Sequence, residues 1–113
     1  MRTQVRLITI TLLNEAKTTT IQARCEGGLC YHRAYRPFYV ERVRYPWVIT
    51  HEPTGFGVSQ DIPSRARARA AMASLLASGV DWLATDRDNV KPTEKAAIIA
   101  ARAIAYPETT GTT

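Results

Sequence analysis

Residues Trp47 to Gly79 read WVITHEPTGFGVSQDIPSRARARAAMASLLASG, and their local chemistry predicts a β-hairpin followed by a capped helix. Pro53 has its φ preset for the second position of a turn, and Gly55 two residues on tolerates positive φ. The flanking runs Trp47-Val48-Ile49-Thr50 and Phe56-Gly57-Val58-Ser59 are rich in the β-branched and aromatic residues that suit a pleated surface. Ser64, just after Pro63, has the side chain of an N-cap. Gly79 suits the left-handed residue that closes a helix, with Val80 making the apolar contact that follows such a cap.

Working outward, residues 4–13 alternate as a strand with Ile8, Ile10 and Leu12 on one face. Asn14 to Lys17 supply a turn, and 18–24 form a second strand with Ile21, Ala23 and Cys25 facing inward. Gly27-Gly28 breaks the pattern as the tip of another reversal. A third strand follows over 29–36, stopped by Pro37, and 38–45 continue extended to Pro46. The C-terminal part holds a loop from Thr85 to Lys91, a helix over 93–106 and a threonine-rich tail. The expected fold is therefore α+β. An antiparallel sheet of four to five strands spans residues 4–60, packed by a helix at 64–78 with a second helix at 93–106 beside it. Residues 1–113 read as a single domain, long enough to bury a core without metal or disulfides.

A helical projection of 65–79 puts Ala68, Ala71, Met72, Leu75, Leu76 and Gly79 on the core side. Arg65 and Arg69 flank one edge of that face and Arg67 the other. The face pointing away carries Ala66, Ala70, Ala73 and Ala77 with no charge, which suggests close approach by a second element. Ala96, Ile99, Ala100, Ala103 and Ile104 of the second helix offer a matching small-residue face. Packing of these faces within the chain is the first expectation, and a homodimer through the Ala-rich faces the second.

The run Leu7 to Leu13 is too short to span a bilayer and lacks a signal-peptide cleavage site, so the expected setting is the cytoplasm, with no membrane partner. Net charge is +5 with a pI near 9.6, and arginine outnumbers lysine by 12 to 3. Guanidinium forks suit phosphates and planar bases, although a GC-rich genome enriches Arg and Ala alike. Residues 31–47, YHRAYRPFYVERVRYPW, hold four of the five tyrosines. Arg33, Arg36, Arg42 and Arg44 interleave with Tyr31, Tyr35, Tyr39 and Tyr45 there, beside Phe38 and Trp47. On an extended strand Tyr31, Arg33 and Tyr35 share a face. Exposed aromatics beside guanidinium groups form the surface that single-stranded nucleic-acid binders use. On this reading Tyr31 and Tyr35 stack bases while the four arginines neutralise phosphates. Arg65, Arg67 and Arg69 would add phosphate contacts where the helix N-terminus also favours anions. The competing reading makes the tyrosines core-edge residues with arginines lying over them. The order of strands before a helix is shared with some sheet-reading DNA-binding folds, in element order only.

Other chemistry finds less support. Cys25-x4-Cys30-x-His32, with His51 further on, could hold zinc, but the spacing is not that of a zinc knuckle. Buried free cysteines are the first expectation, because a reducing cytosol opposes the alternative disulfide across the Gly-Gly turn. His51-Glu52 sits at a hairpin turn, and Asp86, Asp88 and Asn89 lack the glycine and distal glutamate of a calcium loop. Asp81 has no helical carboxylate partner. No phosphate-binding Gly-rich loop, zinc-protease helix or nucleophile elbow occurs. The expected function is thus non-enzymatic and cofactor-free: a small basic nucleic-acid-binding module using Tyr31, Arg33, Tyr35, Arg36, Arg42, Arg44, Arg65 and Arg69. The alternative is a small protein-binding regulator or inhibitor of the kind phages and mobile elements encode against host machinery, acting through the same aromatic and arginine residues.

Overall fold

A computed structural model describes residues 2–12, 17–34, 47–85 and 89–106. Its elements run β1 (Gln4–Leu12), β2 (Lys17–Glu26), β3 (Leu29–Arg33), β4 (Trp47–His51), β5 (Gly57–Ile62), α1 (Arg65–Ala77) and α2 (Pro92–Ala105). The five strands form one antiparallel sheet in the order β1-β2-β3-β4-β5, so every described neighbour in the sheet is also a neighbour in sequence. The expected α+β architecture is present. Lys17, read as turn, opens β2 instead, because it pairs with Leu12 at the end of a long ladder.

The Gly27-Gly28 reversal pairs Glu26 with Leu29, and hence Cys25 with Cys30 and Arg24 with Tyr31. Both glycines have positive φ, 60° and 93°, which a two-residue hairpin loop requires. The second hairpin closes through Gly55 N–H to the His51 carbonyl at 2.8 Å, with Gly55 at φ 76°. Gly55 is also pinned from outside. A Cβ there would stand 2.6 Å from the Thr9 carbonyl oxygen, because β1 curls over this turn. Thr11 N–H donates to the Gly55 carbonyl at 2.9 Å, and Arg6 pairs with Glu52 at 3.0 Å. The β1–β2 hairpin is therefore coiled until its outer edge reaches the β4–β5 turn.

Coiling gives the sheet two cores. Its concave face encloses Ile8, Ile10, Ala23, Cys25 and Cys30, with Ile21 against them. The other face of β3–β5 carries Leu29, Tyr31, Ile49 and Ile62, covered by Ala68, Ala71, Met72 and Leu75 of α1. Ser64 caps α1 as its chemistry predicts, accepting from Arg67 N–H at 3.2 Å, and Gly79 follows the helix at φ 85°. Trp82 packs beneath, its indole donating to the Leu75 carbonyl at 2.8 Å. Gly79, placed on the core side by projection, is exposed, because the chain has left the helix by that point.

The helices do pack together, but not through the faces the alanine pattern suggests. The buried side of α2 is Glu94, Ala97, Ala101 and Ala105, and it meets the core side of α1. Ala66, Ala70, Ala73 and Ala77 are exposed, and so are Ala96, Ile99, Ala100, Ala103 and Ile104. The reason is that α2 also has to serve β5. Arg102 donates to the Val58 carbonyl at 2.9 Å, and the Tyr106 hydroxyl reaches Ser59 Oγ at 2.8 Å and the Gln60 carbonyl. Those contacts fix the rotation of the helix about its axis. Glu94 is buried at the start of α2, where its carboxylate accepts from Lys91 N–H at 2.8 Å and from Thr85 Oγ1 at 3.2 Å.

Candidate functional site

On the face of the sheet that carries the helices, α1 packs on β3, β4 and β5, and among the described residues neither helix covers β1 and β2 in the same way. The step at the edge of that cover is a groove of about 620 Å³, and α1 begins at its rim. Gln22 and Arg24 line it from β2, Tyr31 and Arg33 from β3, Trp47 from β4 and Arg65 from α1. Antiparallel pairing puts Arg24 opposite Tyr31 and Arg33 opposite Trp47, so alternation directs these side chains to one face.

Two arrangements in the groove bear on recognition. Arg33 lays its guanidinium over the Trp47 indole, with Cζ 5.6 Å from the ring centroid. A cation over an aromatic face is attracted by the ring quadrupole, and a guanidinium has five N–H donors with which to meet an acceptor as well. Trp47 in turn leans on Tyr31, centroids 6.2 Å apart and planes tilted by 54°.

The second arrangement surrounds the Tyr31 hydroxyl. Tyr31 is only 2% exposed, and its oxygen has no hydrogen-bond partner. The residue belongs to the core beneath α1 and also lines the groove. Burial pushes its phenol pKa up, but the Arg65 and Arg69 guanidinium groups outweigh that, and the net shift is below the ordinary value of 10.0. Both cations therefore act on the oxygen through space and weak contact, though neither closes a hydrogen bond of good geometry with it.

These positions correct the sequence reading at several points. Tyr31 cannot stack a base, since its ring belongs to the core between β3 and α1. Its neighbour Arg33 is exposed, as the binding role requires, and Arg65 and Arg69 are exposed along one side of α1. The structure brings Tyr31, Arg33, Arg65 and Arg69 together. Tyr35, Arg36, Arg42 and Arg44 lie outside the described residues, as do Tyr39, Tyr45 and Phe38. Arg24 escapes the clustering of residues 31–47, although a signal for it exists: taking Gly27-Gly28 as the turn already pairs it with Tyr31.

Cys25 and Cys30 are joined in a disulfide and are not the free thiols expected. They are direct partners in the β2–β3 ladder, with Cα atoms 4.1 Å apart. The zinc alternative loses its ligands by the same bond, although the Glu52 carboxylate lies within 4.8 Å of both sulfurs. The histidines are committed elsewhere, on opposite faces of the sheet. His32 shares its Nδ1 with the Arg33 carbonyl at 2.7 Å and its Nε2 with Thr50 Oγ1 at 2.6 Å. His51 Nε2 meets the Trp82 carbonyl at 2.5 Å, and its Nδ1 meets Thr54 Oγ1 at 2.8 Å. Since a carbonyl can only accept, His32 carries its proton on Nδ1 and His51 on Nε2. Each hydroxyl then donates to the other nitrogen. Asp81 serves its own turn, accepting from Leu83 N–H at 3.1 Å, and 86–88 lie outside the described residues.

No protein-family model, curated protein or solved structure matches the chain. Among the described residues no helix is long and apolar enough to cross a membrane.

Proposed function

We propose that the protein is a non-enzymatic nucleic-acid-binding module that takes a single strand along the groove between α1 and β1–β2. The observation that carries this reading is the convergence of Arg24, Arg33 and Arg65 on one concavity, with the Arg33 guanidinium already over the Trp47 ring. Phosphates along a strand meet three separate cations there, and a base can stack beside Arg33 and Trp47. The groove offers too little aromatic surface to read sequence, so affinity comes mainly from phosphate contacts. Stacking passes from Tyr31 to this pair.

Fluorescence anisotropy with labelled single-stranded DNA, single-stranded RNA and duplex DNA, each at low and moderate salt, tests it. Micromolar or tighter binding to a single strand, weakening steeply with salt, is expected because phosphate contacts release counterions. Failure to bind any of the three at low salt overturns the reading.

A protein partner is the second reading, and the exposed apolar side of α2 favours it. Ile99 is 68% exposed and Ile104 lies on the same side with Ala96, Ala100 and Ala103. A contact through that face, to a host protein or to a second copy of the chain, would depend little on salt. The expected cytoplasmic setting bears on either reading through the disulfide, which a reducing compartment would open.

A further inference from the structure

We propose that the reduced chain binds a zinc ion through the Cys25 and Cys30 thiolates and the Glu52 carboxylate, so that zinc replaces the disulfide as the cross-link between β2 and β3. The site lies on the concave face of the sheet and is independent of the nucleic-acid reading.

The fold itself brings the three donors together. Cys25 and Cys30 are direct partners in the β2–β3 ladder, so their side chains leave the sheet on the same face, where both are buried. Glu52 is carried to them by the backbone. Its N–H donates to the Gly28 carbonyl at 2.8 Å, which holds the end of β4 against the Gly27-Gly28 turn. A carboxylate oxygen and the two sulfurs consequently lie within 4.8 Å of one another. In a tetrahedral zinc site, with bonds of about 2.3 Å to sulfur and about 2.1 Å to oxygen, ligand atoms stand roughly 3.6 to 3.8 Å apart. Small side-chain rotations span the difference once the S–S bond is open.

Charge favours the same ligand. Two thiolates and a carboxylate bring three negative charges, zinc brings two positive ones, and Arg6, 3.0 Å from Glu52 Oε1, brings the third. The cluster is therefore neutral, as a site with one sulfur on a residue 1% exposed and the other on a residue 0% exposed requires. Arg6 would also orient the carboxylate, as outer partners of zinc ligands do. Two soft sulfurs select zinc over calcium or magnesium, which take oxygen ligands. The Glu52 side chain is 25% exposed, so the ion enters from that side and water completes the fourth position. His32 and His51 keep their hydrogen bonds to Thr50 and Thr54 and supply no ligand.

The exchange of cross-links balances. Two molecules of a low-molecular-weight thiol give up two electrons and two protons and leave joined as their own disulfide. The Cys25–Cys30 bond breaks to two thiols, and zinc then displaces both thiol protons to solvent.

The test titrates the chain with Co2+ and with Zn2+, both with the disulfide intact and after reduction by a water-soluble phosphine without oxygen. The reduced chain is expected to take up about one equivalent of Co2+, with a sulfur-to-cobalt charge-transfer band and the visible spectrum of a tetrahedral site. Zinc added directly should release about two protons. The oxidised chain should show neither effect. Reduced Glu52→Gln, whose fold circular dichroism checks before reduction, should bind Zn2+ about tenfold or more weakly. Should reduction loosen the parent fold, Zn2+ restores the circular dichroism of the oxidised chain. A reduced chain that takes up no metal overturns the proposal. Uptake without the sulfur band also overturns it, because the ion then sits on other groups. Equal affinity in Glu52→Gln, or loosening that Zn2+ does not reverse, overturns it as well.

Discussion

The Tyr31 hydroxyl is buried and closes no hydrogen bond of good geometry, yet the Arg65 guanidinium on α1 acts on it. Burial alone would raise the phenol pKa, and Arg65 with Arg69 brings it below 10.0 instead. Tyr31 should therefore ionise ahead of an ordinary tyrosine in a phenolate absorbance titration. Its folded-state pKa is depressed, so its contribution to stability is fully present above the ordinary phenol value and lost as pH falls through the folded value. Tyr31→Phe should remove the early phase. Since the hydroxyl has no partner to lose, the variant should unfold in urea within about 1 kcal/mol of the parent, or later. Loss of several kcal/mol would mean that the hydroxyl is structurally bonded.

His32 supplies the acid counterpart. Burial lowers its pKa, and the Arg33 carbonyl, which favours the protonated ring, only partly offsets this. The unfolded chain thus binds a proton more readily than the fold. Stability is full above the unfolded value near 6.5 and falls as pH drops from there through the folded pKa. Denaturant midpoints of the parent and His32→Gln across that range should converge towards acid pH. Parallel curves would show that His32 titrates freely.

The disulfide predicts a thiol count. Ellman titration of the unfolded, unreduced protein should find none of the two cysteines, and both after reduction. Cys25 and Cys30 are separated by 5 positions, a short loop. Reduction should then cost about 2 kcal/mol on the chain-entropy view of cross-links. Two reactive thiols before reduction would restore the sequence-based expectation of free cysteines.

Gly55→Ala probes the coiling of the sheet. The new Cβ would meet the Thr9 carbonyl oxygen at 2.6 Å and strain a φ of 76°. A loss of about 2 kcal/mol or more is expected in urea denaturation, because backbone strain and overpacking coincide at this position. Gly79→Ala is the control, with φ 85° but nothing within 4 Å. It should show only the backbone part of that loss. Equal losses would show that β1 does not press on the turn.

The fold is largely legible in the sequence, and the site only partly. Pro53-x-Gly55, Ser64 and Gly79 each act within a few residues, so turn and cap chemistry locates the second hairpin and α1 without tertiary information. Ala68, Ala71, Met72 and Leu75 are equally readable, because one helical period decides them. What escapes is non-local. The rotation of α2 is set by Arg102 and Tyr106 reaching β5, which no periodicity within the helix reveals. Strand alternation puts Tyr31 and Arg33 on one face correctly, but does not say that α1 ends its cover between them, burying one and exposing the other. The disulfide is geometrically legible from the Gly27-Gly28 register. Only an assumption about compartment, which the residues do not carry, argues against it.

Single-strand binding by Arg33→Gln/Arg65→Gln, measured beside the parent over a range of salt, bears on the groove itself. If both guanidinium groups meet phosphates, the double variant binds more weakly at low salt. Its slope of log affinity against log salt is then shallower by roughly 1.4, about 0.7 for each phosphate that a guanidinium no longer neutralises on a single strand. An unchanged slope and affinity in a variant that still folds would contradict the proposed function and move the binding surface away from this groove.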